Sequence, residues 1–152
     1  MNPLHKSPEN GSEVVHTVTD YYDGPRKGIA NYQGIPHFYE CEFGAANDDY
    51  SDRYQLTPID EQLFQLALED WGIWKRWEAA YYAGKTGLET HPALPEDRSR
   101  HEELAIILDN GLQSSSSAIV RIGKFSPLGD LKLPSGVLRP LQVEWTVPDP
   151  PS

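Results

Sequence analysis

The sequence predicts a single α+β domain: an antiparallel sheet, made of an N-terminal three-stranded meander and a C-terminal hairpin, packed against one long tryptophan-rich helix and a second helix. Three observations carry that expectation. Prolines crowd both ends of the chain but are absent from Ile59 to His91, and proline breaks helix interiors. Residues 35–43 alternate with a period of two, whereas residues 59–81 repeat their apolar positions with a helical period. The order β-rich, helical, β-rich fits one sheet with helices against it.

Taken in order, residues 1–12 read as a polar tail without the apolar stretch of a secretory signal. The folded domain is expected over residues 13–148, with a second tail at 149–152. Val14 to Tyr22 is rich in Val, Thr and Tyr and predicts a strand. Asp23 to Gly28 supplies its turn chemistry, and a short strand, Ile29 to Tyr32, leads to Gln33-Gly34. In the next strand Ile35, His37, Tyr39, Cys41 and Phe43 share one face, and Glu40 and Glu42 take the other beside Phe38. Gly44 to Gln55 is polar and acidic and is expected to be a connection. Thr57 then suits a helix cap, Pro58 the first helical position and Asp60 the first turn. Ile59, Leu63, Leu66, Ala67, Trp74, Trp77 and Tyr81 form the core stripe of that helix, and Gly84 its stop. Residues 88–95 form a loop, residues 96–112 a second helix with Leu104, Ile107 and Leu108 as its stripe, and the serines 114–117 a linker. Residues 118–125 and 137–147 read as the final strands, with Pro140 marking an edge or bulge.

Charge and composition narrow the function. The 152 residues carry 23 acidic and 13 basic side chains, net −10, with 11% aromatic residues. Sequence-independent nucleic-acid binding rests on Lys and Arg at phosphates, so nucleic acid is not an expected partner, and an anionic membrane surface is disfavoured for the same reason. Nine acids against four bases fall in residues 1–58, eleven against five in 59–113, and three against four in 114–152. The single cysteine, Cys41, demands no oxidising compartment, and no apolar run approaches the ~18 residues of a membrane helix, so a cytoplasmic address is expected.

Several candidate sites follow. Asp70 projects onto the core stripe of the long helix, and a carboxylate there needs a partner or a raised pKa. It is a candidate acid/base, with Glu78 and His37 as weaker catalytic candidates. Asp70 and Glu78 lie roughly 12 Å apart along the axis, too far for a glycosidase carboxylate pair. Trp71, at the margin of the Trp71, Trp74, Trp77 series, is a candidate anchor for a partner, because interface hot spots favour Trp, Tyr and Arg. His16, His37 and His91 are the candidates for a metal, but none has zinc-motif spacing, and no metal is expected. The turn bearing Asp20, Tyr22, Asp23 and Arg26 is the most motif-like segment, since recognition favours loops on rigid scaffolds. Glu40, Glu42, Asp48, Asp49 and Asp52, with Arg53 alone among them, form the densest acidic cluster. No Walker A sequence, dinucleotide fingerprint or nucleophile elbow is present, and no cofactor is expected.

Three functions fit. The favoured one is a small acidic binding or regulatory module that meets a protein partner, a basic one being the case its charge suits, through the acidic cluster and the tyrosine-rich turn. The second is a small hydrolase-like enzyme using Asp70 with a histidine or tyrosine. The third is a homo-oligomeric structural protein built on the tryptophan helix.

Overall fold

In the computed structural model, six strands close on themselves. The structure describes residues 11–21, 24–44, 49–129, 137–138 and 140–148, with the backbone alone at 44, 49 and 50. Of the predicted tails, residues 1–10 and 149–152 lie outside the described residues. The elements are β1 (Glu13–Tyr21), β2 (Pro25–Tyr32), β3 (Ile35–Gly44), β4 (Asp49–Pro58), α1 (Glu61–Tyr82), two short 3-10 turns (Leu88–Thr90 and Pro95–Asp97), α2 (Arg98–Gly111), β5 (Ile119–Pro127) and β6 (Leu141–Thr146). The described residues form two compact units: a barrel drawn from the segments before residue 60 and after residue 112, and a helical unit of residues 60–112 with 137–138.

The open sheet packed on helices is thereby corrected: β1 to β6 form a closed antiparallel barrel in chain order. Two pairings account for the difference. Residues expected to be a loop form β4, which pairs with β3 from Gly44↔Asp49 to His37↔Pro58 and with β5 from Arg53↔Ile122 to Leu56↔Ile119. The last strand then returns to the first through Glu13↔Val143 and Val14↔Gln142. Closure removes the unpaired edges that an open sheet would leave to solvent.

Alternation decides what the barrel holds. Ala30, Tyr39, Cys41, Tyr54, Leu56 and Val143 form its buried centre, with Tyr32, Phe125 and Trp145 among the side chains packed on them. The ring centroids of Tyr39 and Phe125 are 5.4 Å apart and those of Tyr54 and Trp145 5.6 Å, at the tilted angles aromatic quadrupoles prefer. Each buried tyrosine hydroxyl donates to a backbone carbonyl, Tyr39 to Thr17 at 3.0 Å and Tyr54 to Pro25 at 2.8 Å. Gly123 makes room for this cluster, because a Cβ there would lie 2.6 Å from the Trp145 ring. The interior is a packed core of rings.

In the helical unit the Asp60 side chain caps α1, accepting from the Leu63 amide at 2.8 Å. The expected cap, Thr57, belongs to the end of β4, where pairing with Phe38 holds it extended. Ala67, Ile73, Trp77 and Glu78 are the buried residues of α1, and Leu104 and Leu108 those of α2. Gly84 follows the helix at φ +74°, as the stop requires. Ion pairs Glu69–Arg100 and Arg76–Asp97 join the helices with opposite chain directions, so α1 and α2 run antiparallel. Among the described residues, no helix is long and apolar enough to cross a membrane.

Candidate functional site

The barrel places one set of candidates together. An antiparallel meander sends β1 and β3 out at the end where β2 and β4 begin, so the β1–β2 and β3–β4 turns share one end. The last residues of β1, Asp20 and Tyr21, pair with Lys27 and Pro25 of β2. On β3, Glu42 and Phe43 lie at the same end, and Phe43 pairs with Tyr50 of β4. Tyr21 is 58% exposed and Phe43 54% exposed. Asp20 and Asp52 are exposed and Glu42 is half-buried. A register shift between Cys41 and Phe43 re-aims this part of the ladder, and Ser51 fastens it by donating its hydroxyl to the Glu42 carbonyl at 3.0 Å.

Glu40 sits two residues further in, where Lys27 lies 3.3 Å from its carboxylate and the Ser114 hydroxyl donates to it at 2.8 Å. That acid is therefore partly compensated. Tyr22, Asp23 and Asp48 lie outside the described residues, and Asp49 is described only as the first backbone position of β4. Arg26 turns away from the outer surface: its guanidinium donates to the Cys41 sulfur at 3.5 Å. Burial pushes the Cys41 thiol above its ordinary value despite that cation, and the thiol donates to the Ser51 carbonyl at 3.1 Å. A protonated, bonded sulfur is a poor nucleophile, since the thiolate is the reactive form.

The helical unit brings together a second set. Asp70 is half-buried, 22% exposed at its side chain, and so lies at the margin of the core. Its partner is His101 of α2, whose Nδ1–H donates to the carboxylate at 2.7 Å. On one side of this pair Arg100 grips Glu69 with two hydrogen bonds of 2.6 and 2.8 Å. On the other, Arg76 grips Asp97 with two of 3.0 Å. The guanidinium of Arg100 lowers the Glu69 pKa and that of Arg76 lowers the Asp97 pKa, so both carboxylates are held ionised. Glu78 is sealed, its oxygens accepting from Lys75 at 2.7 Å and from the Leu138 amide at 3.1 Å. Trp71 is half-buried and stacks on Trp74 with centroids 5.0 Å apart. Asp70 and Glu78 are thus committed to different partners.

The histidines are dispersed. His16 Nε2 donates to the Asn31 side chain at 2.8 Å, buried His37 donates through Nδ1 to the Ile35 carbonyl at 2.7 Å, and His91 meets the edge of Trp77 at 4.5 Å. Among the described residues no group of three or more His, Cys, Asp or Glu side chains is arranged to hold a metal ion. Sequence reasoning missed His101 as the partner of Asp70; its signal was its place on the stripe of α2 that carries Leu104 and Leu108. No protein-family model, curated protein or solved structure matches the chain.

Proposed function

We propose that the protein is a small acidic binding module that engages a basic protein partner at the barrel end carrying Asp20, Tyr21, Glu42, Phe43 and Asp52. The observation that carries this reading is the convergence of two exposed rings and three carboxylates at one end of a barrel whose interior is filled by its own side chains. Aromatic residues supply contact area at low entropic cost, and surrounding carboxylates speed the approach of a cationic surface. The net charge of −10 adds a long-range field of the same sign. A cytoplasmic address belongs to the same proposal.

The test is affinity capture with the immobilised chain from an extract of its source, followed by titration of the purified partner. One stoichiometric basic protein is expected. Its affinity should fall as salt rises and should drop at least tenfold in Y21A/F43A and in D20K/D52K, with both variants still folded. Undiminished binding by those variants, or no captured protein, overturns the proposal. Light scattering on the chain alone checks self-association, and a stable dimer built on this end would replace the foreign partner with a second copy.

A further inference from the structure

We propose that Asp70 and His101 form a general-base pair that hydrolyses small aryl esters, a site separate from the barrel end. The geometry has the two parts such a pair needs. The carboxylate takes the Nδ1–H of the imidazole at 2.7 Å, which fixes the tautomer and leaves the lone pair on Nε2. Among the described residues, nothing else hydrogen-bonds to either side chain. Both remain reachable, at 23% and 22% side-chain exposure.

The surroundings separate this pair from an ordinary helix-to-helix ion pair. The neighbouring charges are already matched, Glu69 and Glu103 with Arg100 and Asp97 with Arg76, so neither guanidinium is left to claim Asp70. One turn along α1 from Asp70, Trp74 presents a ring stacked on Trp71, with the Lys75 ammonium 5.6 Å from its centroid. With no further group bonded to the pair among the described residues, the esters within its reach are those whose leaving group departs readily, as a phenolate does. In the reaction His101 Nε2 takes a proton from water as the water oxygen adds to the acyl carbon. The ester C–O bond then breaks, and the imidazolium returns the proton to the departing phenolate. Ester and water become acid and phenol, with no other reactant.

The measurement is hydrolysis of p-nitrophenyl acetate by the intact chain, compared with free imidazole at equal concentration and pH. General-base catalysis on a positioned substrate predicts a rate at least ~100-fold above free imidazole. H101Q should abolish the excess and D70N should lower it at least tenfold, whereas E61Q, in the first turn of α1, should leave it unchanged. Circular dichroism checks that each variant is folded, and diethylpyrocarbonate modification of His101 in the unmutated chain should remove the excess without any substitution. A wild-type rate no faster than imidazole overturns the proposal whatever the variants do, and so does a modified His101 that retains the rate.

Discussion

Replacing Gly28 by alanine tests the barrel at its tightest point. Gly28 of β2 pairs with Val18 on one side and Tyr39 on the other, and its φ lies in the range any residue adopts. A Cβ at this position would collide with the Thr17 carbonyl and come within 2.6 Å of the Tyr39 hydroxyl. The carbonyl is backbone and the hydroxyl is buried, so neither can step aside cheaply. Overpacking of this kind costs ~1–3 kcal/mol. Displacing the Tyr39–Thr17 hydrogen bond strands a buried carbonyl at ~1–3 kcal/mol more. The expected loss is about 4 kcal/mol, a large part of the ~5–15 kcal/mol of a typical domain. Urea unfolding followed by tryptophan fluorescence should show the midpoint falling by about 2 M. Gly34→Ala is the control: φ is +79° there, but no atom lies within 4 Å of the added carbon, so only the ~1–2 kcal/mol left-handed penalty applies. Tyr39→Phe in the Gly28→Ala background should recover part of the loss, because one of the two collisions disappears. A Gly28→Ala variant less stable by under 1 kcal/mol would refute this account of the β1–β2 approach.

Other outcomes are as definite. Cys41 should react with a thiol reagent at pH 8 far more slowly than free cysteine and at the speed at which the barrel opens, measured by mass spectrometry with and without urea. Asp60→Ala should destabilise α1 by about 1 kcal/mol through loss of the bond to Leu63, read by thermal unfolding. Arg76→Gln should cost less than about 1 kcal/mol at neutral pH, since the guanidinium is 57% exposed. Because Arg76 lowers the Asp97 pKa below 3.8, the pair stabilises the fold above that value and its contribution is lost as pH falls below it. The difference between wild type and Arg76→Gln should therefore vanish in denaturation curves recorded at the acid end.

The parts legible in the sequence are those whose pattern is local. Tyr39 and Cys41 do line the barrel core, because a period of two is a property of one strand, whereas Ile35 and Phe43 of the same expected face are exposed at its two ends. The long helix was equally legible, although Asp60 caps it in place of Thr57. Strand β4 was not, because Ser51, Asp52 and Arg53 outweigh the short Tyr54, Leu56 alternation that turns into the barrel. Closure was beyond reach for a different reason. It depends on Glu13 finding Val143, a pairing between distant segments that no local period encodes. The same holds for the site in the helical unit. The unusual position of Asp70 was visible, but its partner, 31 residues away, depends on the antiparallel register of two helices.

The way the helical unit is wired into the barrel has a consequence for engineering. Strand β4 ends and β5 begins as hydrogen-bonded neighbours, with Leu56 opposite Ile119 and the Ser115 amide donating to the Thr57 hydroxyl at 3.4 Å. Adjacent strands lie about 4.8 Å apart, so residues 60–112 leave and re-enter the ladder through a gap no wider than a hairpin turn. That junction is a ready-made splice site. A reporter domain whose termini lie close together can be inserted there while each of the six strands keeps its neighbours, whereas exchanging residues 60–112 outright would also strip the Leu138 amide of its Glu78 acceptor.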